Sequence, residues 1–249
     1  MNPAPTTTPA PEGALRRLRR RAPATLSLMG ITGVVFTAQL ASNLLAGIDL
    51  VLVWGMKDRA ALRAGEVWRL VAPVFIHAGA LHLLVNMYSF YALGPAVERF
   101  FGHRRLVAVY LLSGVSGVVL SLAMNPAPSV GASGAIFGLL GALAAFTYQH
   151  RRLFGSSAQA QLQQIGVVLA LNLILSLTPG IDAWGHLGGL VAGGGCAVLF
   201  GPRLELVPRI EGTPQVVDRR PWPGARARAA AAAVVLLALA LLAIVATAW

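Results

Sequence analysis

The stretch NPAPSVGASGAIFGLLGALAAFTY, residues 125–148, changes character in its middle. Asn125, Pro126, Pro128 and Gly131 resist a helix, because proline lacks the backbone donor and glycine loses the most freedom on ordering. From Gly134 to Phe146 only uncharged Ala, Leu, Ile, Phe and Gly occur, and Thr147-Tyr148-Gln149-His150 lead into Arg151-Arg152. Such a run, apolar all round and closed by arginines, reads as a bilayer-crossing helix that starts late beneath a loop dipping into the membrane.

The rest of the chain repeats that pattern. Of 249 residues 56% are hydrophobic and only 12% charged, about half the charge of a soluble domain. At ~20 residues per crossing, this composition caps the count at roughly seven spans. They are read at about Thr25–Leu45, Leu81–Val97, Leu106–Met124, Ser133–Tyr148, Ile165–Leu177, His186–Phe200 and Ala229–Ala248, with Trp249 suited to an interface. Residues 1–24 form a basic amino-terminal segment, 25–201 a six-helix membrane domain, 202–228 a cytoplasmic linker and 229–249 the seventh helix. The net charge of +11 does not indicate nucleic acid, because the arginines cluster between apolar runs. Cys196 has no partner cysteine, which excludes an intrachain disulfide and a Cys-based zinc cluster; no metal or cofactor is expected.

Sixteen of the 20 Lys and Arg residues fall on alternate connections, before the first span and after the second, fourth and sixth. By the positive-inside rule these ends are cytoplasmic, and so is the amino terminus. The other four, Lys57, Arg59, Arg63 and Arg69, lie in the long first loop. No cleavage site with a polar mature domain follows the arginines preceding Thr25, so the first span is expected to be retained.

Spans two, four and six then run in the same direction, and their polar residues can be ranked by depth. His82 is 17 residues before Arg99, Ser133 is 18 before Arg151, and His186 is 17 before Arg203. At 1.5 Å per residue all three lie roughly 25–27 Å above the inner boundary, just inside a hydrocarbon slab ~30 Å thick. Asn86 follows His82 by one turn on the same face. Polar groups at one depth on three helices point to one shared, water-accessible cavity.

Taken alone, Ser133 reads as a helix cap, His186 as an interhelical hydrogen-bond former and Phe137 as core. Together they read differently. Gly134 and Gly138 on one helix, and Gly189 and Gly193 on another, form small-residue faces that permit close approach. Packed together, they bring the imidazole to the hydroxyl, where a base activates an otherwise unreactive nucleophile. Phe137, one turn below Ser133, can stack on the ring. Asp182 is read as a loop or cap residue, leaving a Ser-His dyad. The Asn86 amide, the His82 ring and the Ser133 backbone N–H are the donors in reach of an oxyanion.

These residues resemble the rhomboid family of intramembrane serine proteases. Gly131-Ala132-Ser133-Gly134 is similar to its Gly-x-Ser-Gly; His186, Gly189 and Gly193 to its His-x-x-Gly-x-x-x-Gly; His82 and Asn86, with His77 before them, to its His-x-x-x-Asn; and Trp68-Arg69, with Glu66 nearby, to its first-loop Trp-Arg. The similarity covers about residues 68–200. It implies an all-α membrane protein, a rhomboid-like six-helix bundle plus a C-terminal seventh transmembrane helix, the six-plus-one form. It further implies Ser133 as nucleophile, His186 as general base and acid, and His82, Asn86 and the Ser133 N–H as oxyanion hole. The first loop would be a structural element partly in the outer leaflet. Some relatives carry Tyr at Phe137 and many carry Ala at Gly185; neither departure removes a reacting group.

The implied activity is hydrolysis of peptide bonds in or near transmembrane segments of single-pass membrane proteins, within the lipid bilayer and with no nucleic acid involved. The Ala/Gly/Arg-rich usage suits a bacterial inner membrane, with a mitochondrial inner membrane as the second reading, weakened because the apolar span begins so soon after the arginines. A non-catalytic rhomboid-like protein that binds membrane clients would be expected to lack the serine or the histidine, and this chain has both. A transporter would favour charged or broken helices near the midplane, which the sequence lacks beyond Asn172.

Overall fold

The computed structural model describes residues 22–176, 178–208 and 213–246. The arginines from Arg16 to Arg21 and the terminal Trp249 lie outside the described residues. The helices are α1 (Pro23–Ala46), α2 (Leu50–Gly55), α3 (Arg59–Arg63), α4 (Ala80–Phe101), α5 (His103–Met124), α6 (Ser133–Gln149), α7 (Arg151–Phe154), α8 (Ser156–Leu175), α9 (Ala183–Phe200) and α10 (Trp222–Ala246). Two short 3-10 turns, Val67–Leu70 and Ala72–Phe75, lie between α3 and α4.

Over the described residues, each expected span falls on a helix. Among the described residues five helices, α1, α4, α5, α9 and α10, are long and apolar enough to cross a membrane. α6 is apolar but has 17 residues, consistent with its late start below the 125–130 loop. α8 begins at Ser156, well before the expected Ile165, because Ala and Gln favour helix even where they do not favour lipid. The protein is an integral membrane protein, and apolar side chains such as Val34, Leu84 and Val191 point outward as lipid-facing residues do.

α6 and α9 are the most closely packed pair, with α5 against both. Leu106, Tyr110, Leu139, Phe146 and Phe200 fill the space between them and α4. α1 lies on the outside of this group. Its first residue is proline, suited to that position, but Ala22 ahead of it offers no side-chain cap. Glu98, from the end of α4, supplies the missing acceptor. Its carboxylate receives the N–H groups of Ala24 and Thr25 at 2.8 Å each and the Thr25 hydroxyl at 2.6 Å. His103 Nδ1 lies 2.5 Å from the same group.

The long first loop is ordered by its own polar residues. Asp49 and Asp58 cap α2 and α3. The Arg69 guanidinium binds Glu66 and the carbonyls of Val53 and Met56, and Trp54 stacks on Trp68 with centroids 4.7 Å apart. Gln39 ties the loop to α1 by a reciprocal pair, giving its amide to the His77 carbonyl and accepting the His77 N–H. Lys57 is fully buried; its ammonium donates to Ser121 Oγ at 2.6 Å and to the Asn125 carbonyl at 3.0 Å. Burial lowers the Lys57 pKa, and the Asp182 carboxylate opposes that shift.

The stretch expected to be a linker contains more structure than its composition suggested. β1 (Leu204–Val207) and β2 (Gln215–Asp218) pair antiparallel, Leu204 opposite Asp218, and α10 starts at Trp222 rather than Ala229. Asp218 holds the hairpin closed by accepting from the N–H groups of Arg203 and Arg220 and from the largely buried Arg105. Burial alone would raise its carboxyl pKa, but these donors prevail and hold it below the usual value. His150 joins the end of α6 to β1: its Nδ1–H donates to the Phe146 carbonyl, and Nε2 accepts the Leu204 N–H. Strands of four residues, half exposed, leave too short a pattern to be read without these partners.

Replacing Glu98 with Ala leaves the Ala24 and Thr25 donors without acceptors, and the unfolding free energy in detergent should fall by about 2–3 kcal/mol. Glu98→Gln, which keeps one acceptor oxygen, should lose less. A melting temperature for Glu98→Ala equal to that of the unsubstituted protein would refute this capping role.

Candidate active site

The loop before α6 is placed by backbone contacts. Lys57 N–H donates to the Ser129 carbonyl at 3.0 Å, and Gly131 N–H donates to that of Pro73 at 2.9 Å. Gly131 has φ +129°, and a Cβ there would stand 2.8 Å from both Cε1 and Nε2 of His82. Only glycine meets both demands.

Ser133 is the first residue of α6, and Ala132 occupies the cap position without a side-chain bond. The serine hydroxyl is therefore not used as a cap. It lies 2.9 Å from His186 Nε2 on α9. The contact exists because the two helices touch backbone to backbone. A Cβ on Gly189 would sit 1.9 Å from the Gly134 carbonyl oxygen, and one on Gly193 would sit 1.9 Å from that of Gly138. Phe137 stacks on the imidazole, centroids 4.3 Å apart and planes 11° from parallel, which fixes the ring's plane.

His82 accepts a long hydrogen bond from the Ala78 N–H at Nδ1, 3.4 Å, which puts its proton on Nε2, facing Gly131. The point where a Gly131 Cβ would stand is 2.8 Å from His82 Nε2 and 3.7 Å from Ser133 Oγ, so the two groups border the same small space. Asn86 is buried one turn deeper and donates one amide hydrogen to the His82 carbonyl at 2.9 Å. A primary amide has two hydrogens, and the second stays available. His77 is buried with its ring edge-on to His82 at 5.1 Å.

Asp182 caps α9 by accepting the Gly185 N–H at 3.0 Å, and its other oxygen accepts from Ser121 Oγ. Its backbone carbonyl accepts the His186 N–H at 3.1 Å, but among the described residues its carboxylate makes no hydrogen bond to the His186 ring, whose Nδ1 faces Ser176 Oγ at 3.0 Å. Ser133, Gly131, Gly185 and His186 border a cavity of about 30 Å³. That is enough for a water molecule.

Three residues around the site were not read from the sequence: Ser176, Ser121 and Lys57. A serine among leucines has no motif to mark it. Lys57 had one available signal, being the chain's single lysine among its 20 basic residues.

A model of the Rhomboid domain matches residues 64–203. The chain belongs to the rhomboid family. The rhomboid match contains α4 through α9 and all the residues just described except Lys57. Over 158 residues the chain is 37% identical to rhomboid protease GluP of Bacillus subtilis, covering 61% of this chain and 30% of that protein. It is 33% identical to RHOMBOID-like protein 5 of Arabidopsis thaliana over 171 residues, 67% of this chain and 55% of that one. RHOMBOID-like protein 1 of the same plant is 40% identical over 129 residues, 51% of this chain and 33% of that one. The aligned part of this chain therefore spans about a third to a half of the length of these relatives.

The glycine contacts give a direct test of the geometry. Gly189→Ala forces α6 and α9 apart and should destabilise the protein by about 1–3 kcal/mol through overpacking. Gly166→Ala on α8, with nothing within 4 Å of the new Cβ, should be neutral or slightly stabilising. Thermal unfolding of both variants checks the pair; equal melting temperatures would contradict the close approach.

Proposed function

We propose that this protein is an intramembrane serine protease that hydrolyses peptide bonds in or near transmembrane segments of single-pass membrane proteins. The observation that carries the reading is the 2.9 Å contact between Ser133 Oγ and His186 Nε2 beside a cavity with room for water. Membership of a family with a named protease supports it.

In this mechanism His186 Nε2 removes the Ser133 hydroxyl proton as Oγ bonds to the scissile carbonyl carbon. The oxyanion is stabilised by the Ser133 backbone N–H at the free start of α6, by His82 Nε2–H and by the second hydrogen of Asn86. The imidazolium then protonates the departing amine, leaving an acyl ester on Ser133. Water, deprotonated by His186, attacks that ester, and the proton returns to Ser133 as the acid leaves. The substrate helix must unwind locally to present its carbonyl. No metal or cofactor takes part in the scheme.

The orientation we propose has the amino terminus in the cytoplasm of a bacterial cell, with the protein in the inner membrane. The supporting observation is charge: Arg99 at the end of α4, Arg104 and Arg105 at the start of α5, Arg151 and Arg152 after α6, and Arg203, Arg219 and Arg220 after α9 all lie at the end of the bundle opposite the Ser133–His186 contact. The unit carrying the chemistry is the six-helix part, residues 25–201. The final helix has no polar group deep in the membrane and takes no part in the reaction.

Ser133→Ala and His186→Ala should each abolish cleavage of a reconstituted transmembrane substrate without loss of folding. His186→Ala should also prevent labelling of Ser133 by a fluorophosphonate. Turnover by the Ser133→Ala protein would remove the nucleophile, and cleavage absent from the unsubstituted protein would favour a client-binding role. Asn86→Ala should lower kcat on the order of 10²-fold, the effect of one lost oxyanion donor. Unchanged kcat would make Asn86 a packing residue.

A further inference from the structure

The imidazole of His186 has hydrogen-bond partners on both sides. Nε2 faces Ser133 Oγ at 2.9 Å, and Nδ1 faces Ser176 Oγ at 3.0 Å. Ser176 follows the last residue of α8 and is buried. Its Oγ also lies 2.8 Å from the Asn172 carbonyl oxygen.

A hydroxyl has one hydrogen. Two oxygens 2.8 Å apart need a proton between them, and a carbonyl has none to give, so Ser176 donates to Asn172. Its contact with His186 must then run the other way, with Nδ1–H donating to a Ser176 lone pair. The proton of the neutral ring is on Nδ1, and Nε2 is left bare, facing Ser133. Among the described residues no carboxylate bonds to this ring: Asp182 is engaged by Gly185 and Ser121.

We infer that Ser176 is a positioning residue: held by the Asn172 carbonyl, it selects the His186 tautomer able to accept the Ser133 proton and braces the imidazolium that forms. The inference rests on the hydrolase reading above and deepens it, turning a two-residue arrangement into a chain from α8 through α9 to α6. Loss of the Ser176 hydroxyl frees the imidazole to place its proton on Nε2, where it cannot act as a base. It also removes a hydrogen bond that strengthens when the ring becomes charged. The ring stays in place because Phe137 still stacks on it.

The test compares the unsubstituted protein with Ser176→Ala and with Ser176→Cys, which keeps volume but is a poor acceptor. Both should fold, with KM little changed, while kcat and the rate of fluorophosphonate labelling of Ser133 fall on the order of 10- to 100-fold. Imidazole 15N spectra, with His186 assigned by its loss in His186→Gln, should show Nδ1 protonated and Nε2 bare in the unsubstituted protein, and mixed tautomers in Ser176→Ala. If Ser176→Ala fails to fold, the cysteine variant decides. Labelling at the unsubstituted rate in the variant that folds, or an Nε2-protonated His186 before any substitution, overturns the role of Ser176 alone. Absence of labelling in the unsubstituted protein overturns the hydrolase reading, and the inference with it.

Discussion

The contact between α6 and α9 governs the site. Within lipid, helices gain little from hiding apolar surface from one another, so close approach depends on small side chains and direct van der Waals contact. Gly189 and Gly193 approach Gly134 and Gly138 until no Cβ on the two α9 glycines fits between the backbones. The 2.9 Å contact of Ser133 with His186 follows from that approach, since both residues sit at the N-terminal ends of these helices. Wider spacing would leave the same residues present and out of reach of each other.

Beside this pair and at the far end of the bundle, buried charges fix segments that apolar contacts alone would leave loose. Each is answered by backbone groups or by a polar partner. Glu98 takes the free donors at the start of α1, Arg69 gathers the carbonyls of the first loop, and Lys57 spans from that loop to Ser121 and Asn125. Ser121 in turn bonds Asp182, which caps the helix carrying His186. The first loop is thus coupled to the start of α9 by an uninterrupted polar path. The arrangement suits a site whose geometry tolerates little displacement, because removing one partner strands a charge in a poorly solvated place.

At the opposite end, the hairpin and its arginines serve a different purpose. Arg105, at the start of α5, is almost wholly buried and needs the Asp218 carboxylate, while His150 carries the end of α6 onto β1. These bonds secure the segment that leads into α10. They lie at the far ends of α5 and α6 from Ser133, so they support the bundle without bordering the site.

The apolar helical runs and the family were legible in the sequence, because a chain that crosses a bilayer must carry long uncharged stretches of a set minimum length. The motifs around Ser133 and His186 were legible for a related reason: glycines at four-residue spacing state that backbones will meet. What the chain could not state was which neighbour answers each polar atom. Ser176, Ser121 and Lys57 are distant in sequence from the residues they serve, and the four-residue strands of the hairpin depend on Arg105 and His150 from other helices. Asp182 could be placed as a cap from its position alone, but that its second oxygen meets Ser121, leaving the imidazole to Ser176, was decided only by the packing of α5, α8 and α9. Local composition fixes where a helix runs; hydrogen-bond pairing depends on distances across the bundle, which exist only once it has assembled.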